Sequence, residues 1–173
     1  MISHPEAAPG PVAALHEPRP VGLVRFAARL LAGLFAGFLL GVLVLESSLR
    51  AADAETYAQV RWVELDRLDT LASLTLIPAL CLAAVLAVAA HRAGRTWIPI
   101  AAAAALLAVV ALISIGFNLP INARQTGWAD HGIPADWSAV RDRWQTAHAV
   151  RTVAAMIAFG ILLLPPSPRP RTR

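Results

Sequence analysis

The sequence lacks lysine: its 15 Lys+Arg positions are all arginine. It is also short of charge of either sign, with 15% Asp, Glu, Lys and Arg, where a soluble domain carries about 25%. The shortfall is concentrated, because residues 30–45, 71–90, 97–117 and 152–164 contain none of those four residue types. Long uncharged runs, with 57% apolar residues and a mean hydropathy of +0.59, exclude a water-soluble globule and describe a small polytopic membrane protein. Cysteine is nearly absent. The single Cys81 lies inside an apolar run, which excludes an intrachain disulfide and a cysteine zinc cluster. Clustered arginine can mark nucleic-acid binding, but here the arginines flank apolar runs, so the expected partner is the lipid bilayer and not nucleic acid.

Residues 1–20 hold Pro5, Pro9, Pro11, Pro18 and Pro20 with few large apolar side chains, and residues 165–173 are similar, so both read as disordered tails. Residues 21–164 read as all-α, an integral membrane four-helix bundle with spans at about 27–46, 71–90, 97–117 and 145–164. Each span needs about 20 residues to cross roughly 30 Å of hydrocarbon. The first reaches that length by including Ala27 to Arg29, with Arg25 and Arg29 snorkelling to the interface. A cleaved secretory signal is the competing reading of this span, but its apolar stretch is too long and Glu46 to Arg50 form a poor cleavage site. Gly33, Gly37 and Gly41 fall on one helix face and permit close backbone approach, either to a helix of the same chain or across a homo-oligomer seam.

Orientation follows from the arginines. The two tails and the loop between spans two and three carry Arg19, Arg25, Arg29, Arg92, Arg95, Arg169, Arg171 and Arg173 against Glu6 and Glu17. The other two loops carry Arg50, Arg61, Arg67, Arg124, Arg141, Arg143 and Arg151 against a larger number of acids. Both termini are therefore expected in the cytoplasm of a multi-pass cell-membrane protein, with the two long loops outside.

The fourth span is the informative one, because its uncharged part is too short to cross the membrane alone. Extending it back to Gln145 carries His148 and Arg151 into the hydrocarbon, and ionisable groups at that depth mark a candidate site. Trp144, His148, Arg151 and Ala155 share one helix face. Trp62, Asp66, Asp69 and Ser73 form a similar stripe if the second helix starts ahead of its apolar run, so Asp66 or Asp69 is a candidate counter-ion for Arg151, with Glu46 the third candidate. The bland alternative leaves Asp66 and Asp69 capping a helix in water. Pro120 should end the third span and place Asn118 and Asn122 on irregular backbone, where they either cap the break or face a cavity shared with His148.

The run Phe117-Asn-Leu-Pro-Ile-Asn122, a loop with Trp128 and Trp137, then Arg141-x-Arg-Trp144, His148 and Arg151 resembles the anthrone-oxygenase-like family of small four-helix membrane proteins. The resemblance implies a four-helix fold and, in characterised relatives, oxygen insertion at an anthrone carbon without metal or flavin, although many members have no assigned function. It points to Asn118, Asn122 and Trp144 as substrate-binding residues and to His148 and Arg151 as catalytic ones. In chemical terms a neutral His148 would serve as general base, Arg151 or an asparagine amide would stabilise an enolate-like oxygen, and Trp144 would offer a flat face to a flat lipophilic compound such as an anthrone or quinone.

Other classes remain beside it. His131, His148, Asp130 and Glu46 lack the one-turn spacing of a helix-borne metal site, so no metal is expected, and the resemblance implies no other cofactor. A transporter would need two halves, and no internal repeat is visible. A non-catalytic membrane subunit, whose polar cluster only locks the helices together, accounts for the same residues.

Overall fold

A computed structural model describes residues 19–165; of the expected tails, Arg19 and Pro20 are already helical, while 1–18 and 166–173 lie outside the described residues. The described chain is all-helical. Its elements are α1 (Arg19–Ser48), α2 (Ala54–Arg92), α3 (Ile98–Ile113), α4 (Leu119–Thr126), α5 (Trp128–His131) and α6 (Trp137–Leu163). Four stretches are long and apolar enough to cross a membrane: Pro20–Ala51, Ala54–Arg92, Ile98–His131 and Trp137–Leu163. This is the architecture of a multi-pass membrane protein. Around the bundle α1 packs on α2 and α6, and α3 packs on the same two helices.

The core is built from small residues. Ala32 and Ala36 of α1, Ala79 and Ala83 of α2, Ala103 of α3, and Ala155 and Ala158 of α6 are buried with Phe35, Leu39, Leu107 and Val110. Small side chains let helix backbones approach closely, which replaces the hydrophobic drive that lipid does not supply. Large apolar residues such as Leu34, Leu74, Ile77, Leu112, Val153 and Ile157 face outward instead. Gly33 belongs to the in-chain packing, since a Cβ there would lie 2.9 Å from the Phe159 ring of α6, whereas Gly37 and Gly41 have no such neighbour.

Local signals place the helix ends. Asp53 caps α2, its carboxylate accepting from the Thr56 N–H at 2.9 Å and the Thr56 hydroxyl at 3.1 Å, so α2 starts far ahead of its apolar run. Gly94, at φ +63°, closes α2 with Arg95 N–H on the Ala90 carbonyl at 2.9 Å and Gly94 N–H on the His91 carbonyl at 3.0 Å, a left-handed turn that glycine adopts without strain. Arg29 does more than snorkel. Its Nε and Nη2 donate to the Leu162 and Leu164 carbonyls at 2.7 and 3.2 Å, which satisfies the end of α6 and ties it to α1.

Pro120 does not end the third span, contrary to the expectation. The chain passes through a π turn at Ser114–Asn118 and continues into α4 with helical dihedrals at Leu119. A proline ring clashes with the carbonyl four residues earlier in a regular α-helix, and the wider turn, in which the Leu119 N–H bonds the Ser114 carbonyl, opens the ladder there. Asn118 and Asn122 therefore stand on helical backbone, one turn apart and both buried.

Candidate functional site

The polar residues collect at the end of the bundle opposite the start of α1 and the end of α6, where α1 runs into α2 and α4 into α6. On α6, Trp144, His148, Arg151 and Ala155 are all buried along one face, as their spacing requires. Trp144 and His148 stack at 4.7 Å with 9° between planes. His148 Nε2 lies 2.9 Å from the Leu39 carbonyl, and Nδ1 is 3.2 and 2.9 Å from Nε and Nη2 of Arg151. A carbonyl only accepts and a guanidinium only donates, so Nε2 carries the hydrogen and Nδ1 presents its lone pair to Arg151. Arg151 Nη1 also donates to the Ser114 hydroxyl at 3.0 Å, which fastens α6 to the π turn.

The centre of the cluster is Arg61, which is 2% exposed. Its Nη1 donates to Glu46 Oε1 at 3.2 Å and to Glu64; its Nη2 donates to Asn122 Oδ1 at 2.9 Å; and Nε and Nη2 both reach Gln125 Oε1. The guanidinium carbon stands 4.2 Å from the centroid of Trp144, a cation–π arrangement. Further contacts close the network: Trp144 Nε1 on Asn122 Oδ1 at 2.6 Å, Gln145 on Glu46 at 2.8 Å, and Gln125 on the Tyr57 hydroxyl at 3.2 Å. Above it, Tyr57 packs with Trp128 and Trp137 at ring separations of 6.4 and 5.6 Å. The first residues of α5 and α6 thus bury Tyr57.

The expected ion pairs are not the observed ones. Among the described residues no carboxylate lies within 4.0 Å of Arg151. Glu46 is taken by Arg61, Asp66 pairs with Arg67 at the surface, and both Asp69 oxygens accept from Asn122 Nδ2 at 3.0 Å. The buried face of α2 is one position out of phase with the stripe of Trp62, Asp66, Asp69 and Ser73: Trp62 and Asp66 are exposed, and the buried face carries Tyr57, Arg61 and Glu64. Sequence reasoning counted Arg61 as a loop arginine and passed over Glu64, Gln125, Gln145 and Ser114. Following the buried face of α2 back from Ala83, Ala79 and Leu76 would have led to Glu64 and Arg61. Nor does Trp144 offer a free ring face, being 2% exposed under Arg61 and His148.

Two acceptors in the cluster have no donor. Asn118 Oδ1 and Glu64 Oε1 are buried and unpaired, while Asn118 Nδ2 makes a long bond of 3.4 Å to the Trp144 carbonyl. Among the described residues no three of His, Cys, Asp and Glu converge as metal ligands.

Back to back with the cluster, on the outward faces of the same helices, lies a cavity of about 810 Å³ between the π turn, α4 and α6. Gly116, Phe117, Pro120 and Ile121 form one wall, and Thr146, Ala147 and Val150 the other. The family model for anthrone oxygenase matches residues 67–161, more than half of the chain. The chain belongs to the anthrone oxygenase family. No curated protein and no solved structure matches it. The part matching anthrone oxygenase includes Asp69, Ser114, Asn118, Asn122, Trp144, His148 and Arg151, whereas Glu46, Arg61 and Glu64 lie before it.

Proposed function

We propose that this anthrone oxygenase family member is a cofactor-independent oxygenase of a flat, lipid-soluble carbon acid of the anthrone type, with His148 and Arg151 as the reacting pair. The observation that supports this is the Arg151–His148 contact, buried beside Ser114 and Asn118. A methylene between two aromatic rings, with a ketone in conjugation, loses a proton to give an enolate. That electron-rich anion reduces O2 and takes it up as a hydroperoxide at the same carbon. Loss of water then leaves a second carbonyl, so CH2 and O2 become C=O and H2O with no external reductant.

The residues fit these steps. A ketone oxygen that draws Arg151 onto itself frees the Nδ1 lone pair of His148, which then takes the carbon-bound proton while Arg151 stabilises the enolate oxygen that results. Asn118 Oδ1, buried without a donor, offers an acceptor to the hydroperoxide hydroxyl. In purified protein in nanodiscs, one O2 should be consumed per anthrone with a quinone as product. His148→Gln should fold yet lose about 10² to 10⁴ in rate. Folded wild type that is inert towards a panel of anthrones and hydroquinones overturns the proposal.

One observation favours a second reading, in which the cluster is a lock. Arg61 alone joins Glu46 of α1, Asn122 and Gln125 of α4 and Trp144 of α6. On that reading His148→Gln changes only stability, by about 1 to 3 kcal/mol.

A further inference from the structure

We propose that Asp69 is a positioning residue for His148, acting through the side-chain amide of Asn122 and the indole of Trp144. The proton transfer it serves is the one proposed above, and the chain of contacts stands without that reading.

Asp69 is the last acid of α2, just ahead of the uncharged run 71–90, and it is half-buried where Asp66 is exposed. Among the described residues no arginine forms an ion pair with it; both its oxygens accept from Asn122 Nδ2, at 3.0 Å each. The other end of that amide is oppositely engaged, Oδ1 accepting from Arg61 Nη2 at 2.9 Å and from Trp144 Nε1 at 2.6 Å. Turning the amide over would set its NH2 against two donors and its oxygen against a carboxylate, so its orientation is fixed. A charged acceptor at Nδ2 also polarises the amide and strengthens the oxygen that Trp144 uses. Arg61 shares that oxygen, but its removal strips Glu46 as well, so Asp69 is the link that can be cut alone.

Trp144 matters because of what the reaction does to His148. The imidazole is held by the Leu39 carbonyl on Nε2 at 2.9 Å, by Arg151 on Nδ1, and by the indole stacked on its face at 4.7 Å and 9°. Once a ketone oxygen draws Arg151 away, Nδ1 has to be free to accept a proton. The bond at Nε2 by itself lets the ring swing about the N–H···O line, which leaves the stacked indole to set the plane in which Nδ1 meets the carbon-bound proton. The indole is held in turn by its Nε1, and Nε1 by the amide that Asp69 orients.

The test uses the full chain in phosphatidylcholine nanodiscs with isotope-labelled tryptophan, whose five indole N–H groups are read by NMR, Trp144→Phe assigning the signal of Trp144. That signal should lie furthest downfield, as a bond of 2.6 Å requires. Asp69→Leu should move it upfield and leave the other indoles in place, and Asp69→Asn, which keeps one oxygen for Asn122, should move it less. With an anthrone, kcat should fall about tenfold in Asp69→Leu at an unchanged KM and recover in part in Asp69→Asn. A Trp144 signal that stays in place in either variant overturns the chain, and a kcat loss without that shift would mark Asp69 as a charge acting on Arg151 through space. A common shift of all the indoles also overturns it, because that is general loosening. The isosteric Asn variant decides the question if the Leu variant does not fold. A protein inert towards anthrones whose Trp144 signal answers to Asp69 keeps the chain of contacts and removes the oxygenase. Wild-type turnover with a Trp144 signal indifferent to Asp69 does the reverse.

Discussion

Arg61 holds carboxylates from two helices on one nitrogen while 2% exposed. Removing one partner of a buried ion pair leaves the other charge uncompensated, which costs about 3 to 5 kcal/mol. Arg61→Leu should therefore lower the melting temperature in detergent sharply, and adding Glu64→Gln should recover part of the loss. Arg151→Leu should cost less, about 1 to 3 kcal/mol, because it removes donors from His148 Nδ1 and strands no acid within 4.0 Å. Equal losses at the two arginines would contradict this division, in which position 61 carries the structural ion pair and position 151 a neutral partner.

Two helix boundaries carry testable consequences. The carboxyl of Asp53 is held below its ordinary range by the Thr56 N–H and hydroxyl, so its stabilisation of the first turn of α2 is present above the carboxylate range and is lost as pH falls through the lowered pKa. Asp53→Ala should reduce thermal stability at neutral pH and less so in acid; an equal reduction at both would exclude the charged cap. At the π turn, Pro120→Ala restores an N–H and removes the ring, so the turn can tighten to α-helical and rotate α4 by about 100° against α3. That would carry Asn122 and Gln125 off Arg61, with helix content by circular dichroism unchanged and melting lowered. Unchanged melting would mean that the turn is held by something other than Pro120.

For the whole molecule, the arginine distribution is the basis for proposing an orientation. By that count loop 91–96 should be cytoplasmic, and the Trp128–Trp137 region outside. Reporter fusions in the two segments should give opposite locations, and a common location would overturn the orientation. On this orientation the Arg61 cluster lies at the external end of the bundle.

Hydropathy and charge placement were enough to determine four membrane-length helices, because a hydrocarbon core demands uncharged stretches of fixed length. The Phe117–Asn122 run with Trp144, His148 and Arg151 was enough to identify the family, and helical periodicity alone put the α6 residues on one face. Partner choice was not legible. Arg61 lies outside any apolar run, and helical periodicity reaches it only once α2 is known to extend far ahead of that run; its partners come from α4 and α6, which meet it there. Arg151 had three acids within plausible reach by sequence and took none of them, since which carboxylate meets which guanidinium depends on helix rotation and on a one-residue widening before Pro120. Those are set by packing between helices distant in sequence, and only the tertiary structure decides them.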